Sequence, residues 1–144
     1  MPVDALLGDL RLAERRLVAA EERVAYCRAA AAKTSVVLGS KCVSRARDVA
    51  SHENAVIRLM EAEREYTEAE REYSDLSDQV CSLLQRLDDP MNADILKLRH
   101  VEHRRMSSIA NELHLSRSSV YRRYTLALSE LKDVLQMQDG HASS

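Results

Sequence analysis

Nine positions, Val3, Leu6, Leu10, Ala13, Leu17, Ala20, Val24, Cys27 and Ala31, alternate steps of three and four without a break. Apolar or small side chains recurring every 3.5 residues keep one seam of a helix turned toward a partner helix. Arg11, Glu14, Arg15, Glu21, Glu22 and Arg28 take the outside. Small residues at every second seam position allow close approach but bury little area per layer, so this helix is not stable alone. A second seam of the same period runs between about Arg47 and Leu87, through Ala55, Leu59, Ala62, Tyr66, Ala69, Tyr73, Leu76, Val80, Leu83 and Leu87. Glu61, Glu63, Glu65, Glu68, Glu70 and Glu72 load its other faces. At about 1.5 Å per residue that helix runs on the order of 60 Å. The two seams predict an antiparallel helical hairpin, a dimer, or both. Leu6, Leu10, Leu17, Val24, Leu59, Tyr66, Tyr73 and Val80 are the expected oligomerisation residues. Between the seams, Lys33 to Arg47 breaks the period, and Thr34-Ser35-Val36-Val37-Leu38-Gly39 is expected to be a connection.

Composition agrees with an extended all-helical chain. Phe and Trp are absent, aromatics are 3% and charged residues 31% of 144 residues, so a thick core through the whole length is not expected. No alternating β-branched stretch predicts a strand. Neither a signal peptide nor an apolar run of membrane-spanning length is present, which predicts a cytoplasmic, nucleoid-associated protein without membrane contact. Cys27, Cys42 and Cys81 are odd in number and widely spaced, and are read as reduced thiols.

Asp88-Asp89-Pro90 ends the second long helix; Asp89 can cap the next helix and Pro90 suits its first position. Three further helices are expected, about Pro90–Val101, Met106–Leu113 and Arg117–Leu135. Their junction is Ile109-Ala110-x-x-Leu113-His114-Leu115-Ser116-x-x-x-Val120. Ile109, Ala110 and Leu113 share a helical face, Ala110 is small where a second helix crosses, and Leu115 plugs the turn. Ser116 can cap the last helix by accepting from an N2 or N3 amide. That pattern predicts a helix-turn-helix. The organisation expected is therefore a helical coiled-coil and oligomerisation region over residues 1–88, a DNA-binding helix-turn-helix over 89–136 and a disordered tail over 137–144.

The net charge of −2 hides an uneven distribution. Residues 1–92 hold 13 Lys/Arg against 17 Asp/Glu, whereas residues 93–135 hold 8 against 5. From Arg104 to Arg123 five arginines face one glutamate. An acidic stalk with a basic head suits a double-stranded DNA partner, because neutralising phosphate supplies most sequence-independent affinity.

Ile95-Leu96-x-Leu98-Arg99-x-Val101-Glu102, the Ile109–Val120 junction, and the trailing Ala127-Leu128-x-x-Leu131 together resemble the fourth conserved region of bacterial sigma factors. With the long acidic helix ahead of it, the chain resembles phage and prophage late-transcription regulators of the ArpU and RinA kind. The resemblance is close over residues 93–135 and loose over 45–135. It implies a sigma-like head that reads a promoter element, with RNA polymerase as a further partner. Three positions depart from the pattern. His100 stands where an aromatic is usual. His103 takes a usual glycine slot and tolerates a left-handed backbone better than most residues. Arg105 replaces the usual Ser or Thr cap, with Ser107-Ser108 where an acidic pair is usual; that change disfavours the helix terminus but favours a nearby phosphate.

The function expected is a sequence-specific DNA-binding transcription regulator, a phage-type activator that dimerises through its helical N-terminal region. Arg117, Ser119 and Arg122 are the candidates for base edges or adjacent phosphates, since arginine fits guanine bidentately. Ser116, as the cap, and Ser118, Tyr121 and Arg123 would lie at the backbone or groove wall, and Arg104 and Arg105 would clamp phosphate. The alternative is a DNA-packaging or assembly protein like the phage small terminase subunits, although those commonly carry the DNA head before the oligomerising helices. No nucleophile–base pair, phosphate loop or carboxylate dyad predicts catalysis. His100, His103 and His114 lack the companions of a metal site, so no cofactor is expected.

Overall fold

The computed structural model describes residues 2–39 and 45–142, and among these every regular element is helical. The helices are α1 (Val3–Gly39), α2 (Arg45–Leu84), α3 (Pro90–Leu96), α4 (Met106–Glu112) and α5 (Arg117–Ala142), with a turn of π-helix over Lys97–Val101 continuing α3. Residues 137–142, expected as tail, continue α5; Ser143 and Ser144 lie outside the described residues.

α1 runs on through Thr34–Gly39, where the sequence pattern predicts a connection. Valine and threonine lower helix propensity by only a few tenths of a kcal/mol each, and here the threonine has compensating partners. Thr34 Oγ1 donates to the Ala30 and Ala31 carbonyls within its own helix, and lies 2.9 Å from His52 Nδ1 on α2. Residues 40–44, including Cys42, lie outside the described residues, and Arg45 to Arg47 already belong to α2.

The chain divides into two compact units, Ala13–Tyr73 and Met1–Leu12 with Ser74–Ser144. In the first, residue numbers on α1 rise as those on α2 fall: Arg16 pairs with Glu72, Arg23 with Glu65, Arg28 with Glu63. The two helices therefore run antiparallel there. Val24, Cys27 and Ala62 form the buried layer, with Leu59 and Tyr66 packed against it. Cys27 is a free, buried thiol. The three ion pairs are solvent-exposed and orient the helices more than they stabilise them.

The second unit holds the thicker core. Leu6 and Leu10 of α1 are fully buried in it, with Val3 and Leu7 nearly so, alongside Val80, Leu83, Leu84 and Leu87. A second cluster joins Ile95, Leu98, Met106, Ile109, Ala110 and Val120, and Met91, Leu113, Leu115 and Tyr124 pack on it. Both α3 and α4 pack on α5. The residues expected to form an oligomer seam are thus already placed within one chain. Leu6, Leu10, Val24 and Val80 are buried, and Leu17, Leu59, Tyr66 and Tyr73 half-buried. Leu6, Leu10 and Val80 have no surface left for a second copy.

Short-range chemistry sets the joints of this unit. Asp89 caps α3, its carboxylate accepting from the Met91 amide at 2.9 Å, with Pro90 opening the helix. Glu130, which precedes the fully buried Leu131 on α5 and is itself half-buried, reaches the same joint. Its carboxylate accepts from the Asp88 amide at 2.6 Å, the Asp89 amide at 3.4 Å and the Asn92 side-chain amide at 3.1 Å. Asn92 is only 7% exposed, and its Oδ1 accepts no hydrogen bond, so the Glu130 contact is what satisfies this buried side chain. Hydrogen bonds to a charged group contribute about 1.5–3 kcal/mol, and an orphaned buried donor costs about as much. Glu130→Ala should therefore lower the unfolding free energy by about 2–3 kcal/mol, a larger loss than any single exposed ion pair of α1 and α2 would give. Urea melts of the full chain check this, with Glu63→Ala as the exposed control.

Candidate nucleic-acid interface

Two residues with left-handed backbone shape the α3–α4–α5 surface. His103 and His114 both have φ of 56°. His103 occupies the position at which the sigma-factor region that the sequence resembles usually has glycine, and histidine is among the residues that tolerate this region. There the Arg104 amide donates to Leu98 O at 2.9 Å and the Glu102 amide to Lys97 O at 3.0 Å. The wide spacing of these bonds suits the π turn that precedes them. At His114 the Leu115 amide donates to Ala110 O at 2.9 Å and the His114 amide to Asn111 O at 3.3 Å. This six-to-one plus five-to-two pair is the Schellman termination of α4, and Leu115 completes it by packing on the Ala110 cluster. The sequence pattern assigns Leu115 its plug role but does not reveal the left-handed His114.

α5 begins as its sequence requires. The Ser119 amide donates to Ser116 Oγ at 3.2 Å, Ser116 Oγ bonds Ser119 Oγ at 2.8 Å, and the Val120 amide donates to Ser116 O at 3.0 Å. Val120, Ala127 and Leu131 are fully buried and define the inner face. At 100° per residue, Ser118, Tyr121, Arg122 and Thr125 fall on the outer side, and all four are exposed. Arg117 is exposed at the helix start; Ser119 and Arg123 are half-buried on the flanks. Tyr121 is 46% exposed. The aromatic that packs inward is Tyr124, which the sequence pattern does not single out.

The arginines separate into two sets. Arg104 is held by Glu112 and lies 3.9 Å from Glu102, and Arg123 lies 3.3 Å from Asp89. Arg105, Arg117 and Arg122 are exposed and form no ion pair among the described residues. Arg105 precedes α4 with extended backbone and no side-chain cap. Arg99, also outside the expected site, donates to the Arg104 carbonyl at 3.0 Å and ties the π turn to the α4 entry. These partners lie two to thirty-four residues away, so no local spacing rule would have found the longer ones.

His100, in the usual aromatic slot, stacks on Tyr124 with ring centroids 5.8 Å apart, and its Nε2 lies 2.9 Å from the Tyr124 hydroxyl. Burial, followed by the charges of Arg99, His103 and Arg11, pushes the His100 imidazole down to about 4. Burial also raises the Tyr124 hydroxyl. Among the described residues no group of three His, Cys, Asp or Glu side chains is placed to hold a metal ion. No described helix is long and apolar enough to cross a membrane. In comparison with known proteins, no family model, no curated protein and no solved structure matches this chain.

The depressed His100 has a defined consequence for stability. Below about pH 6.5 the unfolded chain takes up a proton that the folded ring refuses until about pH 4. This contribution is present above pH 6.5 and is lost as pH falls from there toward 4. Because the ring is partly exposed, solvent screening reduces the effect, to roughly 2 kcal/mol or less. Thermal melts of the full chain and of His100→Phe at pH 7.5 and pH 5 should show a smaller acid loss in the variant.

Proposed function

We propose that this chain is a sequence-specific transcription regulator that binds double-stranded DNA through a helix-turn-helix formed by α4 and α5. The observation that carries this reading is the segregation of α5. Its inner face is sealed by Val120, Ala127 and Leu131, while Ser118, Tyr121, Arg122 and Thr125 point outward and Arg117 stands at the capped start. A helix held this way can lay its first two turns in a major groove. Arg117 and Arg122 are the base readers in this scheme, and Ser118 and Tyr121 meet the groove wall. Arg105, exposed beside α4, meets phosphate.

The ion pairs refine these roles. Arg104 and Arg123 already have carboxylate partners, so they contribute chiefly to positioning the α4 entry and the α3 joint. The Ser119 hydroxyl serves the cap together with Ser116. The resemblance to sigma region 4 agrees with this division of the head, and RNA polymerase is the protein partner it implies. Leu126 and Met137, exposed about three turns apart on nearly the same side of α5, are available to such a contact.

Each arginine that meets phosphate adds about −0.9 to the slope of log K against log salt, so the Arg105 contact alone gives a slope of about −0.9 or steeper. Arg105→Ala should weaken cognate and scrambled duplexes alike and flatten that slope by about one contact. Arg117→Ala and Arg122→Ala should cost roughly 1–3 kcal/mol on the selected site and much less on the scrambled one. Arg104→Ala should change the slope less than Arg105→Ala. Anisotropy titrations on a duplex selected from random sequence measure all four. Equal losses on both duplexes for Arg117 and Arg122 contradict base reading by α5, and a flat salt series contradicts DNA binding.

A further inference from the structure

α2 carries a second seam. The first, through Ala55, Leu59, Ala62, Tyr66, Ala69 and Tyr73, is buried or half-buried on the α1 side. On the opposite side, Glu53, Ile57, Met60 and Arg64 recur at steps of four, three and four, the spacing of residues that meet a neighbouring helix. All four are exposed: Ile57 is 52% and Met60 58% accessible, in the middle of an otherwise charged surface. Val49, 39% exposed, extends the same stripe by a turn. Neither Glu53 nor Arg64 forms an ion pair among the described residues.

The order of charge along this stripe selects its occupant. Glu53 and Arg64 lie equally far from the midpoint between Arg58 and Leu59, and so do Ile57 and Met60. A two-fold interface demands that what residue i contributes, residue j of the partner answers, and the reverse. An antiparallel second copy meets that demand, setting Ile57 against Met60 of the partner subunit and Glu53 against Arg64 of the partner subunit, twice over. A parallel copy in register would oppose Glu53 to Glu53 and Arg64 to Arg64. Farther out, the antiparallel register sets Ala50 opposite Thr67 and Ala46 opposite Arg71, so no like charges meet along the stripe. The last of these pairs lies about 19 Å from the midpoint at 1.5 Å per residue. Helices crossing at about 20° have splayed apart by then. The contact is thus confined to about four central turns.

We propose that α2 is a homodimerisation helix, pairing antiparallel with a second copy of this chain through Ile57 and Met60 and the flanking Glu53–Arg64 ion pairs. This surface replaces the α1 seam, whose Leu6 and Leu10 are consumed within one chain. It does not depend on DNA binding. Two apolar side chains per copy make a small interface, so the dimer is weak, with a dissociation constant on the order of micromolar or above.

Sedimentation equilibrium of the full chain without DNA tests it. The wild type should show a reversible monomer–dimer equilibrium. Glu53→Arg and Arg64→Glu should each weaken it by about tenfold, since each turns two attractive pairs into repulsive ones. The double variant Glu53→Arg/Arg64→Glu should restore the wild-type constant to within about threefold. Within one chain these side chains are about 16 Å apart along the helix, so restoration cannot arise inside a monomer. Circular dichroism of each variant should show unchanged helicity. A monomer at all concentrations, a dimer indifferent to the single changes, or a double variant no tighter than the singles each overturns the proposal.

Discussion

The rotational phase of α5 is the constraint on which the candidate interface depends. Val120, Ala127 and Leu131 have no exposed surface, and together with Ile95, Ile109 and Ala110 they leave the helix one orientation against α3 and α4. Rotating it by a single residue would drive Tyr121 and Leu128 into a core packed around valine and alanine. Cores resist such volume changes at about 1–3 kcal/mol for each overpacked position. With the inner face held, the outward face is set too, and Arg122 can only point away from the core. Glu130, on the same helix, couples that phase to the α2–α3 joint through two backbone amides and the Asn92 side chain.

Electrostatics acts differently in the two compact units. On α1 and α2 some charges pair across the helices, as in Arg16–Glu72 and Arg23–Glu65, and what is left over is acidic, because α2 carries ten Asp/Glu against five Arg. Around α4 and α5 the positive charges outnumber their partners. Carboxylates hold Arg104 and Arg123, and the remaining arginines of this stretch are left facing solvent. Exposed ion pairs are weak enough to be exchanged for phosphate when a polyanion arrives. The surface is therefore graded, with Arg105, Arg117 and Arg122 free and Arg104 and Arg123 tethered; on the proposed reading the free ones would meet DNA directly and the tethered ones only by exchange.

Much of the helical framework is legible in the residues because local chemistry decides it. Asp89-Pro90 marks a helix start, Ser116 caps α5, and His103, a residue that tolerates the left-handed region, adopts it. Apolar periodicity likewise marks Ile109, Ala110 and Val120 as core. Periodicity says that a face is covered, however, and not by what: Leu6 and Leu10 continue the heptad of Leu17 and Val24 without a break, yet belong to a different compact unit. Thr34–Gly39 reads as a break because β-branched residues are poor helix formers, and the contact with His52 that offsets this lies 18 residues away. Tyr124 on His100, Glu130 on Asn92 and Arg123 on Asp89 are illegible for the same reason. Most of the candidate site residues lie in or at the start of α5 and are found together; the residues that tether or position them come from elsewhere in the chain.

Hydrogen–deuterium exchange of the full chain, alone and with a duplex at low salt, tests the central claim most directly. If α5 enters a groove, exchange should slow in the peptides covering Arg117 to Arg123 and Arg104 to Met106, and stay unchanged along the acidic middle of α2. Protection confined to α2, or no protection anywhere despite saturating duplex, would contradict the account.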